Sequence, residues 1–104
     1  MDRMLNMLGL CARAGKLITG EKACLQGIRA GGAFVALLDG AASANAVKAL
    51  GDACASHGVP LVRTGENRLG DAIGKPGRMA AIVTDARMGA RIIELSAADS
   101  VGDA

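Results

Sequence analysis

The feature that most constrains the fold is a short run of apolar residues in the first half of the chain. Residues 34–38 (FVALL) contain no polar side chain and lie between Gly32 and the pair Asp39-Gly40. A wholly apolar run of this length, closed by turn residues, is typical of a β-strand buried on both faces. Such a strand needs other elements on both sides of its sheet, and we expect Phe34 to lie in the core.

The rest of the chain alternates between helical and extended patterns, with short connections. Helices are predicted over residues 2–14, 21–30, 43–57, 66–73 and 86–95, and strands over residues 17–19, 34–38, 59–63 and 79–84. Ser43 is a good N-cap for the third helix, and Gly58 suits the left-handed position that ends it. This alternation predicts an α/β domain with helices on both faces of a central sheet. Residues 96–104 are expected to form a polar tail that frays.

Length and composition indicate one globular domain, residues 1–95. The chain has 104 residues, of which 51% are apolar and 21% charged, so a disordered polar chain is excluded. No apolar stretch approaches the roughly 20 residues that span a bilayer. The start of the chain lacks the layout of a signal peptide. We therefore expect a cytoplasmic protein that has no membrane partner.

The reactive side chains do not form a recognisable catalytic or metal-binding pattern. Cys11, Cys24 and Cys54 lie far apart without a CxxC pair, and His57 is the one imidazole. We expect three buried, reduced thiols. Neither zinc-ligand spacing nor a nucleophile triad is present. The sequence predicts no catalytic residue, no metal ligand and no cofactor.

Three acidic residues near the predicted strand ends leave a less favoured enzymatic alternative. Asp39, Asp71 and Asp85 follow or neighbour strands, as acidic residues do in phosphoryl-accepting or magnesium-binding α/β domains. No acidic pair shares one strand end, however. A small-molecule or phosphoryl-binding enzyme is therefore the third choice among the functional hypotheses.

Basic side chains are concentrated near the N-terminus, although the net charge is only +2. Residues 1–32 carry five basic side chains against two acidic ones, and the remaining residues carry seven against eight. Lys16 and Lys22 flank the start of the second helix, where Gly20 permits close approach of a ligand. The free N–H groups of a helix start favour a phosphate. The same residues also suit a plain helix cap with a solvated surface, and the sequence leaves both interpretations open.

A series of short motifs runs through most of the chain. They are LGLCARAGKL at residues 8–17, GE at 20–21, IRAG at 28–31, ASAN at 42–45, Cys54, GVP at 58–60, LGDAIGK at 69–75 and IVTD at 82–85. In their order and spacing, these motifs resemble the L-seven-Ae ribosomal protein family of kink-turn RNA-binding proteins. The resemblance covers about residues 4–95 and is strongest to the small bacterial members.

The resemblance implies a fold and a surface. The fold is a three-layer α/β/α sandwich around a four-stranded mixed sheet, with a binding surface instead of an active centre. In the family, RNA is contacted by the start of the second helix, the loop before it and the loop after the last strand. On this chain those regions fall at residues 16–26 and 82–88. The segment near residues 64–68 is expected to add a further contact.

The RNA-binding residues that the resemblance implies form two groups. They are Lys16, Thr19, Gly20, Glu21, Lys22 and Gln26 around the second helix, and Val83, Thr84 and Asp85 in a facing loop. Lys16 and Lys22 would hold phosphates, and Glu21 would accept a hydrogen bond from a guanine edge. Where the family has Asn, Glu and Lys, this chain has Lys22, Ala23 and Gln26.

We therefore expect a non-catalytic, ribosome-associated protein that recognises structured, kink-turn-like RNA. Its partners would be ribosomal RNA and ribosomal proteins, and the free protein would be a monomer. Because the chain has one Phe and no Trp or Tyr, recognition through shape and backbone is favoured over base stacking. The substitution of the family's Asn and Glu by Lys22 and Ala23, together with the low net charge, favours an alternative. In that alternative, the protein is a protein–protein adaptor that has the same fold and shows little or no specific RNA binding.

Overall fold

Helices and strands alternate along the chain in the computed structural model, which describes residues 2–102. The helices are α1 (Arg3–Arg13), α2 (Glu21–Arg29), α3 (Ala44–His57), α4 (Arg68–Ile73) and α5 (Ala86–Gly102). The strands are β1 (Leu17–Thr19), β2 (Val35–Leu38), β3 (Leu61–Arg63) and β4 (Ala80–Val83). Every predicted element is present. Except at the end of α5, each boundary lies within two residues of its predicted position.

The four strands form one mixed sheet in the order β1-β4-β2-β3. Strand β4 is antiparallel to both of its neighbours, whereas β2 and β3 run parallel. The two central strands, β2 and β4, are buried at every position. This burial confirms the interpretation of the apolar run as a strand covered on both faces.

Alternate residues of the central strands point into two separate cores. The first core lies against α1, α4 and α5 and includes Val35, Leu37, Ala81, Val83 and Ile92. The second core lies against α2 and α3 and includes Ala36, Leu38, Ala80, Ile82 and Ile28. Because side chains alternate along a strand, one apolar sequence supplies both cores. The predicted three-layer α/β/α sandwich is therefore confirmed.

Local signals fix the ends of the helices. The Oγ atom of Ser43 accepts a hydrogen bond from the N–H of Ala46 at 3.1 Å and caps α3. Gly58 has a φ of +66° and ends the same helix in the left-handed conformation, which glycine adopts without strain. Asp2 caps α1 by accepting from the N–H of Leu5. Both predicted ends of the third helix are confirmed.

Two predictions about the fold are wrong. Helix α5 was expected to end at residue 95 and extends to Gly102, because Ser96, Ala97 and Ala98 include no helix-breaking residue. Phe34 was expected in the core and is 45% exposed, because β2 begins one residue later. Residues 103 and 104 lie outside the described part of the chain. The division into a domain of residues 1–95 and a tail of residues 96–104 stays a prediction.

The three cysteines are free and buried, as expected. Burial raises the pKa of the Cys24 thiol to about 12, and the neighbouring Cys54 adds to the shift. Burial also raises the pKa values of Cys11 and Cys54. All three side chains therefore remain neutral thiols at physiological pH, which is the form a hydrophobic core tolerates. No helix within residues 2–102 is long and apolar enough to cross a membrane.

Candidate nucleic-acid interface

Four loops meet at one end of the sheet, beyond the ends of its strands. Strand β1 ends beside the start of β4, since Thr19 pairs with Ala81. Strands β2 and β3 end there as well, since Leu38 pairs with both Ala80 and Arg63. The loops that follow or precede these residues are 19–22, 39–43, 64–67 and 74–79. We call this set of residues the α2 edge, because helix α2 begins in it.

The start of α2 presents uncapped backbone to solvent. Gly20 has a φ of +96° and provides no side-chain cap. Its own N–H donates to the carbonyl of Ala80 at 3.0 Å, and its carbonyl accepts from the N–H of Cys24 at 2.9 Å. The N–H groups of the first turn have no partner within the helix, and they lie at the positive end of the helix dipole. Such a terminus can hold an anion.

Basic side chains surround this helix start. A Cβ atom placed on Gly20 would lie 3.0 Å from Nη1 of Arg78, so the guanidinium lies directly against the glycine. Lys75 lines a small pocket together with Thr19. Lys22 lies in the first turn of α2, and all three basic residues are exposed. Among the side chains that the structure describes, those of residues 2–98, the ion pairs are Lys48–Asp52 and Arg91–Glu94, so none of the three basic residues is neutralised by a salt bridge there.

The carboxylate of Asp39 holds two loops of the α2 edge together. It is fully buried. Its Oδ1 atom accepts from the hydroxyl of Thr64 and the N–H of Leu69, each at 3.1 Å. Its Oδ2 atom accepts from the N–H groups of Ala41 and Asn67, at 2.9 and 2.7 Å. Every carboxylate oxygen therefore has two donors, and the loops that precede α3 and α4 are fixed to the end of β2.

The pKa of Asp39 reflects a balance between burial and hydrogen bonding. Burial alone would raise the pKa of this carboxyl group. The backbone donors at Ala41, Asn67 and Leu69, together with the Thr64 hydroxyl, outweigh burial and lower the pKa below its ordinary value. Asp39 is therefore a charged structural residue. Within residues 2–98, whose side chains the structure describes, no three His, Cys, Asp or Glu side chains lie close enough to hold a metal ion.

A glycine in α4 lets the basic loop pack closely. A Cβ atom placed on Gly70 would lie 2.6 Å from the carbonyl oxygen of Lys75 and 2.9 Å from the nitrogen of Gly77. Both neighbours are backbone atoms, so a side chain at Gly70 would displace the loop itself. The Lys75 N–H donates to the Gly70 carbonyl at 2.9 Å, which fastens the loop to the helix. The position of the loop that carries Arg78 therefore depends on Gly70.

The structure divides the predicted site residues into two groups. Thr19, Gly20, Glu21, Lys22 and Gln26 lie at or beside the α2 edge, Gln26 one turn along the helix from Lys22. The segment at residues 64–68, expected to add a contact, also reaches this edge. The predicted residues around the second helix, from Thr19 to Gln26, therefore lie together at the α2 edge.

The remaining predicted residues lie at the other end of the sheet. Because β1 and β4 are antiparallel, Leu17 pairs with Val83, and the N–H of Thr84 donates to the carbonyl of Lys16 at 3.0 Å. Val83 is fully buried and is not available to a ligand. Asp85 caps α5 by accepting from the N–H of Met88 at 2.9 Å. The prediction that Val83, Thr84 and Asp85 face the start of α2 is therefore wrong.

The loop that does face α2 connects α4 to β4. It includes Lys75 and Arg78, which the sequence analysis missed as site residues. The available signal was the GKPGR turn at residues 74–78, where two basic residues flank Pro76-Gly77 just before a buried strand. This turn points to Lys75 and Arg78 as candidate site residues only once β4 is known to run antiparallel to β1.

The fold and the α2 edge together define a small α/β/α domain with an anion-accepting helix start and a basic loop on one edge of its sheet. The chain belongs to the ribosomal protein L7Ae/L30e/S12e/Gadd45 family, whose model matches residues 2–93. The family suggested by the sequence motifs is therefore confirmed.

Similar proteins come from several organisms. The RNA-binding protein YlxQ of Bacillus subtilis (strain 168) is 37% identical over 91 residues, which cover 86% of this chain and 90% of that protein. The RNA-binding protein YlxQ of Enterococcus faecium is 35% identical over 83 residues, covering 79% and 81%. Both relatives match nearly the whole of this domain.

Two solved structures are also similar. A protein of unknown function from Bacillus halodurans C has a TM-score of 0.89 and 33% identity, covering 93% of this chain and 99% of that one. The Giardia lamblia 15.5kD RNA binding protein has a TM-score of 0.74 and 23% identity, covering 91% and 85%. At that identity, the second structure is informative about the fold alone.

Replacing Asp39 with Asn should destabilise the protein by roughly 2–4 kcal/mol at pH 7, because the amide places N–H donors against backbone donors. Folding lowers the pKa of Asp39, so its contribution is complete above the unfolded pKa of about 3.9 and is lost as the pH falls through the folded pKa. The difference in the free energy of unfolding between wild type and Asp39→Asn, measured by urea unfolding, should therefore become smaller below about pH 4.

Asp52→Asn is the matched control for this experiment, because Asp52 is exposed and pairs only with Lys48 on α3. We expect it to change the free energy of unfolding by less than about 1 kcal/mol. A constant gap between wild type and Asp39→Asn across the acid range would contradict the assignment of a charged Asp39.

Gly70→Ala should destabilise the protein by about 1–3 kcal/mol, because the new methyl group overlaps backbone atoms of the basic loop. Gly51 in α3 offers a matched control, since a Cβ atom there would meet nothing within 4 Å. Gly51→Ala should be neutral or stabilising by up to about 1 kcal/mol. Urea unfolding of the two variants measures the difference, and equal stability would exclude the packing role of Gly70.

Proposed function

We propose that this protein binds structured RNA through the α2 edge. The observation that carries the proposal is the position of the Arg78 guanidinium against Gly20, at the uncapped start of α2. A guanidinium and a row of free backbone N–H groups are complementary to one phosphate group, the first by charge and paired donors and the second by hydrogen bonds. Lys22 and Lys75 extend the positive charge to either side.

The proposal is also supported by the names of the relatives, since the YlxQ proteins of B. subtilis and E. faecium are RNA-binding proteins. The residues from the sequence analysis take specific places in it. Lys22 contacts a phosphate, and Glu21 accepts from a guanine edge. Thr19 and Gln26 lie at the two ends of the contact. The role is a binding role without catalysis.

We assign the finer specificity to kink-turn-like RNA, with ribosomal RNA as the natural source. The family pattern places polar readers at the positions of Lys22, Ala23 and Gln26, which follow Gly20 by two, three and six residues. The chain offers one exposed aromatic side chain, Phe34, and it lies at the other end of the sheet. Recognition therefore depends on the shape and backbone of a folded RNA. In this proposal the protein acts in the cytoplasm, associates with the ribosome and is a monomer when free.

A binding titration tests the proposal and the position of the site. The protein is titrated with a kink-turn RNA and with a straight duplex of the same length, each at two salt concentrations. Lys22→Ala and Arg78→Ala should each weaken kink-turn binding by about tenfold, because each removes a charged phosphate contact worth about 1.4 kcal/mol. Each should also reduce the slope of log K against log salt by about one unit.

Lys16, which the family resemblance led us to expect as a phosphate contact, lies at the opposite end of β1 from the α2 edge. We therefore leave it out of the proposed contact, and Lys16→Ala is the matched control because it removes the same charge. Its effect on kink-turn affinity should be less than about twofold. If Lys16→Ala weakens binding more than Lys22→Ala and Arg78→Ala do, the α2 edge is not the interface. Equal and weak binding to both RNAs would leave only nonspecific phosphate attraction and would exclude kink-turn recognition.

Restoring the family pattern should raise affinity for the kink-turn. The triple variant Lys22→Asn, Ala23→Glu, Gln26→Lys replaces three exposed residues of α2, so the fold should be preserved. The new carboxylate and amide can read base edges that Ala23 cannot reach, and each such contact contributes about 1–3 kcal/mol of discrimination. The ratio of kink-turn to duplex affinity should rise at least tenfold. An unchanged ratio would show that this chain does not use the family's mode of recognition.

A further inference from the structure

A groove between α1 and α4 lies apart from the α2 edge. Its volume is about 560 Å³, and its walls include Asn6, Leu10 and Arg13 from α1 and Arg68, Asp71 and Ala72 from α4. Arg68 directly follows the 64–67 loop of the α2 edge, and the other residues lie outside the loops of that edge. The groove is therefore a second surface beside the one proposed for RNA, and binding of a ligand there does not depend on RNA binding.

The spacing of residues on α1 creates the first wall. Asn6, Leu10 and Arg13 follow one another at intervals of four and three residues, which places them on one face of the helix. The other face carries Met4, Leu8 and Cys11, which are buried. Leu10 is 48% exposed and is thus an apolar side chain left in solvent among polar neighbours.

The close approach of the two helices forms the floor. A Cβ atom placed on Gly9 would lie 3.0 Å from the carbonyl oxygen of Ala72 and 3.6 Å from Nη1 of Arg13. The glycine thus lets α1 pack against α4 and leaves the Arg13 side chain at the rim. The floor is formed by the small residues Gly9 and Ala72 with Leu5 beside them, and the groove has room for a side chain of a docked segment.

The charged groups of the groove have no ion-pair partner in the described part of the chain. The salt bridges there are Lys48–Asp52 on α3 and Arg91–Glu94 on α5. Arg13, Arg68 and Asp71 take part in neither. Arg13 on one wall and Arg68 on the other outnumber the single carboxylate, Asp71, which follows Arg68 by three residues on α4. The groove therefore has a net positive charge at neutral pH.

We infer that this groove docks an acidic, amphipathic helical segment of a partner protein. An apolar side chain of the segment packs on Leu10 and the floor, in the manner of a helix laid into a groove. Two carboxylates of the segment pair with Arg13 and Arg68, since a guanidinium binds a carboxylate through two parallel hydrogen bonds. From Asn6 to Arg13 the wall is about 10 Å long, which matches about two turns of a docked helix.

A protein segment fits this groove better than an RNA backbone does. A phosphate backbone offers no apolar group to cover Leu10. A peptide can place its carboxylates beside Arg13 and Arg68 and an uncharged or basic group beside Asp71, whereas every unit of an RNA backbone carries a negative charge. The chemistry of the walls is mixed, with apolar, cationic and anionic groups within one groove, and only a protein partner supplies a complement to all three.

The probe is a 14-residue acetylated and amidated helical peptide. It has leucines spaced three and four residues apart on one face and glutamates beside them, and it carries a fluorescent label. A second peptide has lysine in place of every glutamate. Fluorescence anisotropy with the full chain should give a dissociation constant on the order of tens of micromolar for the acidic peptide. The basic peptide should bind at least tenfold more weakly.

Variants locate the binding. Arg13→Glu and Arg68→Glu should each weaken binding of the acidic peptide at least tenfold, and Leu10→Ser about fivefold. Arg29→Glu, an exposed charge reversal at the end of α2, is the matched control and should change it less than twofold. Leu10→Ser removes an exposed side chain, so its fold should be intact by circular dichroism and it remains informative if a charge reversal does not fold.

Three results would overturn the inference. In the first, the acidic peptide fails to bind. In the second, it binds Arg13→Glu and Arg68→Glu as well as it binds wild type. In the third, the groove variants weaken kink-turn RNA binding more than Arg29→Glu does, which would make the groove part of an RNA surface. Failure of the RNA proposal would look different, since Lys22→Ala and Arg78→Ala would then leave RNA binding unchanged while peptide docking persisted.

Discussion

The buried carboxylate of Asp39 is the interaction on which the α2 edge depends. One side chain accepts four hydrogen bonds from residues up to 30 positions away in sequence. The backbone contributes too, because the N–H of Asp39 donates to the carbonyl of Met79 at 2.8 Å. Three of the four loops at this edge are thereby tied to the end of β2. The loops of the surface that we propose for RNA are therefore fixed by the buried charge of Asp39, which is not accessible to RNA.

The same arrangement explains how an acidic residue can lie under a basic surface. A buried carboxylate with four donors has its charge satisfied locally, and its pKa is lowered despite burial. The exposed charged residues in the loops of the α2 edge are three basic ones, Lys22, Lys75 and Arg78, and two acidic ones, Glu21 and Glu66. The sequence analysis weighed Asp39 as part of a phosphoryl or magnesium site. The structure gives the residue four protein donors, and these occupy the positions that a metal ion would need.

Most of the fold could be predicted from the sequence because each element carries its own local signal. The apolar run before Asp39 identified a strand with two buried faces, and Ser43 and Gly58 marked both ends of α3. Phe34 was misplaced because hydrophobicity does not show at which residue a strand begins. The end of α5 was misplaced because Ser96 and the alanines after it are neutral or favourable in a helix, so the sequence contains no stop signal there.

The candidate site was half predictable, and the reason is strand direction. Residues that lie near each other in sequence, such as Gly20 and Lys22, lie together at the α2 edge. Which loop faces them depends on whether β4 runs parallel or antiparallel to β1, and neither strand's sequence encodes that choice. The antiparallel register moves Thr84 to the far end and brings Arg78 against Gly20. Loop residues that meet through a sheet can be assigned only after its topology is known.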